Sequence, residues 1–66
     1  MKLTVNGASH EHRGAGSADA LLEELGAQKE HTALMVNGTV VPAADWAATT
    51  LKTDDAIEML VFVGGG

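Results

Sequence analysis

The group in this 66-residue chain best placed to act as a reagent is at its end. Val61-Phe62-Val63 runs into Gly64-Gly65-Gly66 and a free α-carboxylate. Glycine has no Cβ and tolerates nearly any φ/ψ, so residues 64–66 are expected to form a thin, mobile thread. Extended, three residues reach roughly 10 Å, at about 3.3–3.6 Å each. That is enough to carry a group into the narrow active site of another protein. A carboxylate ionised at neutral pH (free α-carboxyl pKa about 3.3–3.7) is a poor electrophile. Chemistry at this carboxylate therefore needs a second enzyme to activate it. Taken alone, a triglycine is better explained as a frayed terminus.

Other chemical constellations are weaker. His10-Glu11-His12 puts two imidazoles on one face of a strand, a geometry that suits a metal pair. No third ligand accompanies them, since His31 falls in a different loop, so a solvated polar edge strand and no metal are expected. Glu23, Glu24, Asp54, Asp55 and Glu58 offer carboxylates for acid–base work. The first two are expected to face solvent on a helix and the others to surround a turn, which describes a solvated acidic surface. Gly14-Ala15-Gly16 lacks the lysine and the strand–loop–helix setting of a phosphate loop and reads as a plain loop.

Composition removes whole classes of function. With no cysteine, disulfides, thiolate zinc sites, persulfides and cysteine nucleophiles are all excluded. Four basic residues against nine acidic ones give a net charge of −5. That balance disfavours nucleic acid, whose affinity rests on Lys and Arg, and favours a partner with a basic docking face. Neither a signal-peptide core nor a membrane-length apolar run is present, so a cytoplasmic location is expected. A domain this small buries only about 60% of its unfolded surface. It has little room for both a core and an enclosed substrate pocket, and it is expected not to be an enzyme.

The elements that must position the tail follow from local patterns. Lys2-Leu3-Thr4-Val5 alternates polar and apolar and meets Asn6-Gly7, a strong type I′ hairpin signal. The returning strand, about Ala8 to Arg13, is polar. Ser17 suits a helix N-cap, with Asp19 in the first turn. Leu21, Leu22 and Leu25 form one apolar stripe, and Gly26 takes the C′ position, so a short helix is predicted over Ala18 to Leu25. Ala33 to Val36, Asn37-Gly38 and Thr39 to Val41 repeat the hairpin pattern until Pro42 ends the pairing. Ala43 to Trp46 suits a single helical turn that returns Trp46 to the core. Lys52 to Asp55 is a polar turn, and Ala56 to Val63 is the longest strand signal.

On this strand Ile57, Met59, Val61 and Val63 share one face, and Glu58, Leu60 and Phe62 the other. Leu60 and Phe62 form either a partner-docking surface or a second packed face. The order β-β-α-β-β-β predicts an α+β fold of the β-grasp kind. It would have a mixed sheet of four to five strands, one main helix across it, and the first and last strands parallel at the centre. The folded domain is expected to span residues 1–63, with residues 64–66 as its tail.

Across essentially its whole length the chain resembles the ThiS family, ubiquitin-like sulfur carriers of thiazole formation in thiamine biosynthesis. The resemblance rests on Leu34-Met35-Val36-Asn37-Gly38-Thr39-Val40-Val41-Pro42 with Trp46, on Asp55-Ala56-Ile57-Glu58, and on the terminal Gly65-Gly66. It departs at Asp54, where the family usually has glycine, and at Gly64, where a bulkier residue is common. The resemblance implies that a ThiF-like enzyme adenylates the Gly66 carboxylate with ATP. Sulfur from a cysteine desulfurase or rhodanese-type donor then replaces AMP, and the thiocarboxylate serves thiazole synthase, ThiG. Gly64 and Gly65 would thread into the partner's active site. A molybdopterin-synthase-type carrier and a ubiquitin-like modifier joined through Gly66 are the alternatives.

Overall fold

In the computed structural model, which describes residues 1–62, both Asn-Gly pairs make the expected turn. Asn6 and Asn37 have φ of 50° and 51°, and the glycines after them 82° and 83°. Positive φ at both central positions marks a type I′ turn, whose twist matches that of the strands it joins. Strands β1 (Lys2–Val5) and β2 (Ala8–Glu11) form the first hairpin, and β3 (Thr32–Val36) and β4 (Thr39–Val41) the second. Helix α1 (Ala18–Glu24) lies between them in sequence, and β5 (Ala56–Val61) follows.

The five strands form one sheet in the order β2-β1-β5-β3-β4. β5 is parallel to β1 and antiparallel to β3, so the last strand occupies the centre, as the element order predicts. A parallel pair cannot be closed by a hairpin. The chain between β1 and β5 therefore has to cross over, and the helix fills that crossover.

α1 begins as its sequence demands. The Ser17 hydroxyl accepts the Ala20 N–H at 3.0 Å, and Asp19 sits in the first turn. Gly26 has φ +71° just beyond the Leu25 cap. Leu21 and Leu22 are fully buried against Leu3, Leu34, Leu51, Ile57 and Trp46, with Val5, Val36 and Met59 half-buried beside them. Each fully buried aliphatic side chain contributes about 1.5–3 kcal/mol relative to exposure, and most of this core is leucine. Trp46 belongs to the core, as expected. Its turn is a 3₁₀ segment, Ala43–Ala48, longer than predicted, and its Nε1 donates to the Val41 carbonyl at 2.8 Å.

The predicted end of β2 needs correction. Strand pairing stops at Glu11 rather than Arg13, because the chain turns inward and buries His12 at 3% exposure. A second 3₁₀ turn at Lys29–His31, which the periodicity does not signal, leads into β3.

Candidate functional site

Two regions collect groups that could do chemistry: the end of β5, and a histidine–glutamate cluster between β2 and α1. β5 is held from both sides along most of its length, toward β3 through Phe62 and toward β1 as far as Met59. Toward β3 it pairs from Val36 opposite Ile57 to Thr32 opposite Val61, and the Phe62 N–H donates to the His31 carbonyl at 2.7 Å. Toward β1 the strand register covers Ala56 and Ile57, and the Asn6 N–H donates to the Ile57 carbonyl at 2.8 Å.

Asn6 then extends that ladder with its side chain. Its Oδ1 accepts the Met59 N–H at 2.8 Å, and its Nδ2 donates to the Met59 carbonyl at 3.3 Å. Asn37 makes a related clamp at the other end of β5. Its Oδ1 accepts the Ala56 N–H at 2.8 Å, while its Nδ2 donates to Asp55 Oδ1 at 2.9 Å. The sequence signals these asparagines only as turn residues. Their grip on β5 depends on its pairing with β1 on one side and β3 on the other, which no local pattern records.

Above this clamp the apolar side chains are open to solvent. Leu60 is 64% exposed, Val61 60% and Phe62 58%. Leu60 stands opposite Ala33 in the ladder, on the face of the sheet away from the core. That face carries a shallow concavity lined mainly by Ala33, Met35, Val40, Glu58 and Leu60, with Asn6 and Gly7 at one side. Val40 is as exposed as Leu60, at 65%. Of the two readings left open for Leu60 and Phe62, second-face packing fails: no element covers them among the described residues. Gly64, Gly65 and Gly66 lie outside the described residues, as does Val63.

The histidine cluster differs from its expected character. Glu24 stays exposed, but its carboxylate is held by three hydrogen bonds, and His12 is not part of a solvated edge. Glu24 Oε2 lies 2.7 Å from His10 Nε2 and 2.9 Å from His12 Nδ1, and its Oε1 accepts the Arg13 N–H at 2.7 Å. The hydrogen bond from His10, then that from His12, then the Arg13 N–H hold the Glu24 carboxyl down to about 2.

The Gly16 N–H donates to His12 Nε2 at 3.0 Å, so that nitrogen keeps its lone pair and Nδ1 carries the proton given to Glu24. Nδ1 thus has no free lone pair for a metal. Among the described residues no three His, Cys, Asp or Glu side chains are grouped to hold one. Gly14 is part of the same arrangement, since a Cβ there would lie 2.8 Å from His12 Cε1. The cluster is a clasp that ties the β2 exit to the end of α1, and both ring nitrogens of its buried imidazole are occupied.

The other carboxylates are on the surface as well. Glu23 and Asp19 share the Lys29 ammonium at 2.7 and 2.9 Å, and that pairing raises the Lys29 pKa. Glu11 binds the N-terminal ammonium, which lowers its carboxyl pKa. No helix of the described residues is long and apolar enough to cross a membrane.

Comparison with known proteins adds to this geometry. The model of the ThiS family matches residues 3–66. A crystal structure of the thiamine biosynthesis protein ThiS from Geobacter metallireducens superposes with a TM-score of 0.82 at 42% identity, covering the whole of both chains. A solution structure of a thiamine biosynthesis protein from the same organism gives 0.79 at 42% identity, covering all of this chain and 88% of that one. Two curated relatives are thiazole synthases. That of Paramagnetospirillum magneticum is 33% identical and that of Magnetococcus marinus 36%, each over all 66 residues of this chain. The chain spans 20% of the length of either relative.

Proposed function

This chain belongs to the ThiS family, and from that membership we propose that it is a sulfur carrier of thiamine biosynthesis, loaded at the Gly66 carboxylate. The observation that supports this most directly is the placement of β5. The strand feeding the tail is the central one, gripped by β3 and Asn6, and its last described residues are exposed and apolar. A rigid base and a bare approach suit a group that must be presented to other enzymes.

The chemistry proceeds in two displacements. A Gly66 carboxylate oxygen attacks the α-phosphorus of ATP on a ThiF-like adenylating enzyme. The bond to the β-phosphate breaks and pyrophosphate leaves, giving an acyl-adenylate. A sulfur nucleophile from a cysteine desulfurase or rhodanese-type donor then attacks the carbonyl carbon and expels AMP. Where the donor is a persulfide, a thiol supplies the two electrons that cleave the S–S bond and free the thiocarboxylate. Activation followed by displacement divides one difficult transfer into two easier ones. Thiazole synthase is the proposed acceptor, in keeping with the names of the two relatives.

In this scheme Gly66 is a substrate-like carrier, Gly64 and Gly65 are the slim backbone that enters the active site, and Leu60 and Phe62 form the docking surface. The protein is not itself a catalyst. Its acidic surface suits partners with basic docking faces. The test is intact-mass analysis after incubation with a ThiF-like enzyme, Mg-ATP and a sulfur donor. Replacement of one oxygen by sulfur at Gly66 is expected. An unchanged mass with no pyrophosphate released would overturn the proposal, and conjugate ladders in cells would favour a protein modifier.

A further inference from the structure

The parallel ladder between β1 and β5 stops before β5 does. Successive residues of β5 turn their N–H and C=O groups to opposite neighbours. Ile57 and Met59 point toward β1, where Asn6 serves both, and Leu60 and Phe62 point toward β3. Val61 is the next residue to point toward β1. On that side the chain has already turned away through Gly7 into β2. Among the described residues nothing bonds to the Val61 N–H or C=O. Exposed Leu60, Val61 and Phe62 flank this short open edge, and it adjoins the concavity at Asn6 and Gly7.

A donor and an acceptor side by side on an open strand edge match one kind of ligand, an extended polypeptide backbone. The geometry points to strand addition: a short extended segment of the adenylating partner pairs with the Val61 main chain, continuing the line of β1 beyond Asn6. This inference rests on the carrier reading above. Chain length suits that partner, the first to act on the tail in this scheme. Gly66 is five residues beyond Val61, at most roughly 18 Å at 3.6 Å per residue. A segment bound at Val61 is thus within reach of the nucleotide that receives the carboxylate. Glu58 lies in the adjoining concavity, so the incoming strand carries Lys or Arg on its outer face.

The first measurement is amide hydrogen exchange at Val61 in the full chain, free and bound to a purified ThiF-like enzyme with Mg-ATP. Exchange at Val61 is fast in the free chain and slows at least tenfold in the complex. The second is binding by two variants. Val61→Pro removes the N–H, and proline is tolerated at strand positions whose N–H is unpaired. This variant keeps its melting temperature within a few degrees and loses about tenfold or more in affinity, whereas Val61→Ala loses little. Protection already present in the free chain, an unfolded Val61→Pro, or binding with Val61 exchange unchanged would each overturn strand addition while leaving the carrier reading intact. If the wild-type chain neither binds the enzyme nor releases pyrophosphate with it, the carrier reading fails and this inference falls with it.

Discussion

The two faces of the sheet have been solved in opposite ways. One is closed by α1 and the Ala43–Ala48 turn along most of its length, with Leu3, Leu21, Leu22, Leu34 and Leu51 at or near zero exposure and Trp46 at 3%, though Val61 at the end of β5 is exposed. Its buried polar residues are satisfied too: His12 has both ring nitrogens occupied, the Thr32 hydroxyl donates to the Gln28 carbonyl, and no buried side-chain polar atom lacks a partner among the described residues. The other face has no cover among the described residues. Met35 is half-buried, while Val40, Leu60 and Phe62 stand mostly in water. In a domain with so little apolar material, leaving these side chains outside sacrifices stabilisation that a second layer would have supplied. The contrast ties stability to the covered face and leaves the open one to the partner docking proposed above.

The sharpest way to break that division is to truncate one residue on each face of β5. Ile57→Ala, on the covered face, is expected to cost about 2–5 kcal/mol in urea unfolding, enough to unfold much of a marginal domain. Replacing both Leu60 and Phe62 by alanine should move stability by less than about 0.5 kcal/mol. The same pair should weaken binding to the adenylating enzyme by about tenfold or more, or 1.4 kcal/mol. Stability lost from the open face with binding unchanged would reverse the assignment.

The clasp at Glu24 refines the covered side. Its carboxyl sits at about 2 in the folded chain, against 4.5 for an unperturbed glutamate. The unfolded chain thus binds the proton more readily, and stability rises with pH across this window. The clasp contributes fully above about pH 4.5 and is lost as pH falls toward 2. Urea midpoints measured over that range should fall for the wild type and fall less steeply for Glu24→Gln. Glu11, also lowered by its partner, titrates in the same direction and leaves a residual slope.

The smallest expected effect is at Asp54, whose φ of +71° is strained for a residue with a Cβ. Asp54→Gly should raise stability by about 0.5–1 kcal/mol, part of the left-handed penalty for L-residues. A rise in melting temperature with partner affinity unchanged would show that this turn belongs to the scaffold alone.

Much of the scaffold was legible locally. The Asn-Gly turns, the Ser17 cap, the leucine stripe and the Gly26 stop each depend on a few neighbouring residues and on φ/ψ preferences a sequence displays directly. The Asp54 departure was visible too, though only the backbone shows that aspartate occupies the left-handed position. The roles of Glu24, His12 and the Asn6 side chain were not legible. Each depends on a partner 12 to 53 residues away, brought close by the crossover. Periodicity placed Glu24 on the polar side of its helix, and it had no means of showing that β2 would pass beneath.

By itself the sequence determined the five strands and the helix, their order, the central place of the last strand, and the likeness from which the Gly66 proposal comes. Those follow from short-range sterics, hydrophobic spacing and chain connectivity. Tertiary structure alone decided which apolar residues would stay uncovered and where the edge of β5 would open. A period-two pattern labels two faces of a strand without saying how far a helix or a neighbouring strand will reach along them. Here α1 is seven residues long, β1 turns away at Asn6, and β5 runs past it.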